Sequence, residues 1–310
     1  MVGGEMVEKA AKPRKINSKI HIGSYTFDVF LAIIMVMFSV IMIYPFINVI
    51  AISLSSSAMI SSGHVTWWAK EFNTKGYEIV FGQNAIWTAY KNTIIYALVA
   101  TVINLLLTSM IAYALMLPDF VLRKPLTILL LVTMFFSGGT VPTYLMVKNL
   151  GMMNTIWALV LPNAVSAYNI FVYRAFYKGI SYEIREAARV DGASEISILF
   201  RIYMPLSKAL YATFGLFSIV GIWNSFFEAL LYIKDEAKQP IQMILRKILF
   251  TSGAGGGTFD GVSELMQKGT LNPKNVQYAC IIATIAPILL VYPFIQKYFA
   301  QGMQVGAVKG

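Results

Sequence analysis

The sequence predicts an all-α integral membrane protein, with six transmembrane helices and a cytoplasmic helix-turn-helix between spans four and five. Three observations carry that expectation. Of 310 residues, 57% are hydrophobic and only 13% charged, and the mean hydropathy is +0.64, far too apolar for an ordinary soluble chain of this length. The apolar residues gather into six stretches that reach or approach the ~20 needed to cross a bilayer as a helix. Between the fourth and fifth of them, from Arg174 to Lys208, the composition turns mixed, with six basic and four acidic residues.

In chain order, residues 1–25 carry Lys9, Lys12, Arg14, Lys15 and Lys19 with little apolar content and read as a cytoplasmic tail. The first span, 27–51, exceeds the roughly 7 to 15 residues of a cleaved signal peptide's core, so it is expected to stay as an anchor. Pro45 lies near its outer end, where neighbouring helices or water can satisfy the freed carbonyl. Residues 53–87 are polar and read as an external loop, with Trp67 and Trp68 as interface aromatics. The second span covers 92–116, and Arg123 and Lys124 mark the inner loop that follows. The third, 126–147, is interrupted by Ser137-Gly138-Gly139-Thr140-Val141-Pro142, a break tolerated at membrane depth only where it faces protein or a water-filled cavity. The fourth is 155–173, the mixed loop occupies 178–206, and the fifth span is 209–233. A long external loop, 234–275, leads to the sixth span, 276–299, and a cytoplasmic tail, 301–310. One membrane domain, 26–300, is the simplest division.

Six spans put both termini and the mixed loop on one side. The inner segments hold fifteen of the 25 lysines and arginines, and six of the ten outer ones lie in the long loop, where charge has a weaker influence on topology. The net charge of +10 therefore reflects topology; the basic residues form no stripe with interleaved aromatics, so nucleic acid is not an expected partner, and membrane lipid is. The single cysteine, Cys280, excludes a disulfide within the chain and reads as a small buried hydrophobe.

The mixed loop has its own grammar. Residues 182–190 are mostly good helix formers, Gly192 can take the left-handed geometry of a helix end, and Asp191 or Ser194 can cap the next helix. Pro205 is expected to stop that helix and start the fifth span. Ala187, Ala188 and Gly192 keep the pair narrow, and Ile196, Leu199 and Phe200 suit a groove on another protein. Glu186 can add a directional charge contact, or pair with Arg189 one turn on.

Glu186-Ala187-Ala188, three residues, Gly192, nine residues and then Ile202-Tyr203-Met204-Pro205 resembles the signature of the membrane subunits of bacterial binding-protein-dependent ABC importers, with Met204 where Leu is usual. Met134-Phe135-Phe136-Ser137-Gly138-Gly139, Pro142-Thr143-Tyr144, Lys148-Asn149-Leu150-Gly151 and the ending from Tyr292 to Gly310 look like the carbohydrate-uptake branch, and within it MalG-type permeases of the LplC and YtcP kind. The resemblance implies a permease in the bacterial cytoplasmic membrane, paired with a second permease, two ATPase subunits and an extracellular solute-binding protein, importing oligosaccharide or polysaccharide fragments. It assigns ATPase coupling to Glu186, Ala187, Ala188, Asp191, Gly192, Ala193 and Pro205. ATP and magnesium are expected on the ATPase subunits alone, since no Gly-Lys dipeptide, and so no phosphate-binding loop, occurs in this chain.

Two further groups of residues are expected to matter. Trp223, Asn224, Phe227 and Glu228, toward the outer end of the fifth span, offer aromatic faces and one acid to a substrate pathway, or pack at the interface. Gly253, Gly255, Gly256 and Gly257 make the outer loop pliant enough to reach the binding protein, or simply to connect spans. A membrane enzyme is disfavoured, because His21 and His64 fall on opposite sides and no paired acids stand in the spans. The same importer class acting on another organic solute, or a secondary transporter, stays open.

Overall fold

The computed structural model describes residues 22–251 and 272–307, and its regular elements are all helical. Gly253, Gly255, Gly256 and Gly257 lie outside the described residues, as does nearly all of the N-terminal tail. Two units are distinguished, 1–48 and 49–310. The first holds most of α1, Ile22–Ser53, an apolar helix that continues through Pro45 and whose most apolar stretch buries nothing.

The second unit is organised around α4, Asn84–Met116. This helix is apolar all round, as a membrane helix is, so residue size selects its packing face. The buried positions include Ala89, Thr93, Ala97, Ala100, Thr101, Thr108, Ser109 and Ala112, small residues that let neighbouring backbones approach. Before it come α2, Ser57–Ser61, and α3, Lys75–Gly82. After it come α5, Arg123–Phe135, α6, Thr140–Asn149, α7, Trp157–Val160, and α8, Ala167–Lys178. The mixed loop forms α9, Tyr182–Val190, α10, Glu195–Ile198, a wide π turn over Leu199–Tyr203, and α11, Met204–Leu206. Then follow α12, Lys208–Asn224, α13, Phe227–Tyr232, a 3-10 turn at Glu236–Lys238, α14, Ile241–Thr251, and α15, Pro273–Ala307.

Packing concentrates at the two ends of α4. Around its N-terminal end, Val80, Ile86, Trp223, Ile241, Ile248, Val276 and Cys280 share one core, and α3 lies so close to the start of α15 that a Cβ on Gly76 would sit 2.7 Å from the Asn275 carbonyl oxygen. Around its C-terminal end, Tyr113, Ile170, Tyr173, Tyr177, Ile198, Leu199 and Tyr203 form a second, aromatic core.

The helices depart from the expected spans in several places. Among the described residues, three segments are long and apolar enough to cross a membrane unbroken, Tyr25–Ser53, Asn84–Met116 and Pro273–Pro293; two more exist only as bent pairs. The expected third span turns by 120° between α5 and α6, a corner rather than a kinked rod. The expected fourth span is not one helix: α7 stops at Val160 and α8 begins at Ala167, with Pro162 between them, because proline supplies no amide to continue the ladder. The fifth ends at Asn224, where Ser225 takes extended geometry, and α13 is separate. The loops expected at 53–87 and 234–275 contain α2, α3 and α14, and α15 runs on into the expected tail as far as Ala307.

Candidate functional site

The mixed loop is the part of the chain whose local geometry its sequence specifies most fully. Helix α9 ends at Asp191, its C-cap, and Gly192 follows with φ +82°, a conformation that costs a side-chain-bearing residue strain. The Gly192 amide donates to the Arg189 carbonyl at 3.0 Å, and the Ala193 amide to the Ala188 carbonyl at 2.9 Å. That bond pair is a Schellman turn, with Ala193 and Ala188 making its apolar contact. The interval from the paired alanines to the glycine is thus the interval this helix end requires. Ser194 extends and caps α10, its Oγ accepting from the Ser197 amide at 3.3 Å.

Pro205 does not stop the helix. The ladder widens over Leu199–Tyr203, so the Met204 amide reaches back to the Leu199 carbonyl, and Pro205 falls inside the turn that follows. The widened register accommodates the residue that lacks an amide, and the chain bends by 86° two residues later, at Ser207.

One face of this loop is buried and the other open. Ala188, Ile198 and Leu199 are buried, so Leu199 belongs to this chain's own core and is not part of an outward face. Val190 is 87% exposed and Ile196 67%, and Ile184 and Phe200 are also exposed. Ala187 is exposed beside them. Glu186 does contact Arg189, at 3.5 Å, but its nearer partner is Arg185, at 3.0 Å. Both contacts use Oε1.

Arg185 is the residue the sequence reading missed. Its side chain is 2% exposed. Nη2 lies 2.5 Å from Glu195 Oε1, Nε donates to Glu195 Oε2 at 3.2 Å, and Nη1 donates to the Tyr182 hydroxyl at 2.6 Å. The Tyr113 hydroxyl, on α4, donates to the same Glu195 Oε2 at 2.6 Å. Burial works against the charge on Arg185, yet the hydrogen bonds and charge of Glu195 hold its pKa above the ordinary arginine value. Burial likewise opposes the charge on Glu195, but Arg185 and Tyr113, with Arg189 nearby, keep its carboxyl below the usual range. A signal was present: Arg185 stands three residues before Ala188, on the face of α9 that turns inward. Nothing in the sequence pointed to Tyr113.

Below this latch lies a hydroxyl and ring cluster. Tyr177 bonds Ser109 at 2.7 Å and Tyr211 at 2.5 Å, and Ser109 also bonds Tyr211. The Tyr113 and Tyr203 rings meet edge to face at 5.0 Å.

The four residues expected to line a pathway differ in exposure. Trp223 is buried and its indole donates to the Thr284 carbonyl at 3.1 Å. It borders an apolar cavity of about 1240 Å³ between α4, α12 and α15, with Tyr90, Lys91, Phe217, Val220 and Val291 also on its wall. Asn224 and Phe227 are exposed, and Glu228 accepts a hydrogen bond from Ser225. Among the described residues no group of three or more His, Cys, Asp or Glu side chains is arranged to hold a metal.

Comparison with known proteins gives a consistent picture. Residues 84–305 match the model of the family described as binding-protein-dependent transport system inner membrane component. The chain is 36% identical over 284 residues to the polygalacturonan/rhamnogalacturonan transport system permease protein YtcP of Bacillus subtilis, covering 92% of this chain and 98% of that protein. It is 40% identical over 270 residues to protein LplC of the same organism, covering 87% and 90%. Its structure is similar to a chain in the crystal structure of a bacterial ABC transporter involved in the import of the acidic polysaccharide alginate, with a TM-score of 0.84, 29% identity and coverage of 90% and 98%.

Proposed function

The chain belongs to the family of binding-protein-dependent transport system inner membrane components, and from that premise we propose how it works within its importer. It is a non-catalytic permease subunit of a carbohydrate ABC importer in the inner membrane. In the proposed assembly it pairs with a second permease to enclose the pathway. Two ATPase subunits, carrying ATP and magnesium, bind beneath, and an extracellular binding protein delivers the solute. The chain crosses the membrane six times, with α7 and α8 together making the fourth crossing, and both termini lie in the cytoplasm.

The observation that carries this reading is the loop of α9 and α10. A Schellman turn at Gly192 and a buried Arg185 hold a narrow element that exposes Val190, Ile196 and Phe200, and Glu186 is half exposed with its Oε1 held by Arg185. Such an apolar face, with one oriented acid, suits a cleft on a soluble partner. The ATPase fills that role here: closing of its dimer pulls the loop, and the spans rock around the pathway. Ala187, Ala188, Asp191, Ala193 and Pro205 shape the element rather than touching nucleotide. Asn224 and Phe227 are available to a passing sugar, whereas Trp223 is structural. Gly253, Gly255, Gly256 and Gly257 give the outer loop reach toward the binding protein.

The proposed solute is an oligosaccharide or polysaccharide fragment, supported by relatives named for polygalacturonan and rhamnogalacturonan and by the alginate importer. Affinity purification from the native membrane in mild detergent tests the assembly. A second permease and an ATPase are expected to come with the wild-type chain, and the ATPase to be lost from a Glu186→Ala, Gly192→Val variant. Recovery of the chain alone, active in uptake without ATP, would make it a secondary transporter instead. Equal growth of wild type and deletion strain on acidic and neutral oligosaccharides would remove the sugar assignment while leaving the assembly intact.

A further inference from the structure

We infer that Arg185 is the positioning residue that makes the docking loop and α4 one rigid body, through Glu195 to Tyr113, so that movement imposed on the loop arrives undiminished at the membrane helix. The inference rests on the docking role proposed above.

Helix α9 has nine residues, fewer than the ~12–15 at which an isolated helix becomes marginally stable in water. Its orientation must come from tertiary anchors. Ala188 supplies an apolar one, which resists separation but permits sliding, since apolar burial is non-directional. Arg185 supplies a directional one. Its Nε, Nη1 and Nη2 are all engaged within this chain, on Glu195, Tyr182 and Glu186, and with 2% exposure it has no surface left for a partner. Its work is therefore internal.

Glu195 is the hub. One oxygen takes Arg185 Nη2, the other takes both Arg185 Nε and the Tyr113 hydroxyl. A two-pronged guanidinium–carboxylate contact fixes angle as well as distance. Tyr113 lies one turn before the end of α4, so this hydrogen bond joins the loop to a helix 33 residues long. The same guanidinium holds Glu186 Oε1 at 3.0 Å, so one residue sets both the acid at the edge of the docking face and the link to the membrane. A loop fastened by apolar contact alone would swivel when pulled, and part of the stroke would be lost before reaching α4.

The test uses the full complex in nanodiscs, with Cys280→Ala as background and spin labels at Glu183→Cys on α9 and Met110→Cys on α4, both exposed positions. Inter-label distances are compared between the nucleotide-free state and the state trapped with magnesium, ADP and vanadate. The wild-type distance is expected to stay the same in both states. With Glu195→Gln, and more weakly with Tyr113→Phe, the distribution broadens and shifts on trapping, while the ATPase still co-purifies. Arg185→Lys, which keeps the charge but loses the fork, falls between wild type and Glu195→Gln. Transport of delivered solute per ATP falls roughly tenfold in Glu195→Gln, which loses the guanidinium–carboxylate charge pair, and roughly threefold in Tyr113→Phe, which loses one hydrogen bond and keeps that pair. A wild-type distance that changes on trapping overturns the inference, because the loop then moves on its own. So does an unaltered distribution in both variants, and so does a loss of transport that only tracks a loss of assembled complex. Failure of the docking role itself is seen separately, as absence of ATPase from the wild-type preparation.

Discussion

The two ends of α4 hold their neighbouring connections by different chemistry. At the C-terminal end the α9–α10 loop is held by side chain on side chain, Arg185 and Tyr113 both meeting Glu195. At the N-terminal end, the connection from α13 to α14 is held by side chains reading backbone. Tyr96 donates to the Lys238 carbonyl, Asn92 to the carbonyls of Ala237 and Gln239, and Thr93 accepts from the Ile241 amide. Asn154, in the left-handed region at φ 62°, accepts the amides of Lys234 and Asp235. Contacts to backbone leave the connection free to vary in sequence. Contacts between charged side chains fix it, and give the loop a defined angle to the helix. The difference suits the proposed docking role at one end and an adaptable surface at the other.

The largest effect separating the two ends is expected from Glu195→Ala. It strands a guanidinium that is 2% exposed and is expected to cost about 2 kcal/mol, below the full penalty of a broken buried pair because Glu195 is itself 39% exposed. Amide exchange should speed up in α9 and remain unchanged in α14. Equal protection in the two helices would erase the distinction. Thr93→Val comes next, at about 1–2 kcal/mol, since it leaves the buried Ile241 amide without its partner. The loss is read as a lowered Tm and faster exchange in α14, whereas Ala237→Ser, where only the backbone is used, stays within about 0.5 kcal/mol of wild type.

The smallest effect sharpens the contrast through pH. The Glu195 carboxyl titrates below its ordinary range in the folded chain, so its stabilisation is complete above the unfolded carboxylate pKa and is lost as pH falls through the depressed folded value. Exchange in α9, taken relative to the intrinsic amide rate at each pH, is expected to be flat from neutral down to the ordinary carboxylate range and to rise below it. The hydroxyl, amide and backbone contacts of Thr93, Asn92 and Tyr96 do not titrate there, and the carboxylate pair made by α14, Glu236 with Lys247, joins an acid that is 81% exposed, so any step in α14 should be much smaller. A parallel rise in both helices would mean that general acid unfolding, not Glu195, is being observed.

Much of this was legible without coordinates. The apolar stretches specified membrane helices, and in the docking loop each local choice agreed with the next: helix formers, then Gly192 at the position needing positive φ, then Ser194 as a cap. Local geometry of that kind depends on residues within a few positions of one another, which a sequence displays directly. Pro205 lies one residue inside the end of its helix rather than at it, because the ladder widens over Leu199–Tyr203, where the Tyr203 ring meets Tyr113 and Tyr177, partners distant in the sequence. The fourth and fifth spans looked continuous because composition measures length and apolarity but is silent on where a helix ends.

By itself, the sequence determined the solvent in which this chain folds, the existence of its long apolar helices and the turn at Gly192 in its mixed loop, because hydropathy and backbone preference are carried residue by residue. Only the tertiary structure decided that Trp223 is core and Asn224 surface, that Leu199 turns inward while Ile196 faces out, and that Arg185 meets Tyr113. Those outcomes depend on which distant helix comes alongside, and residues 72 positions apart in the chain share no local signal until packing brings both to one carboxylate.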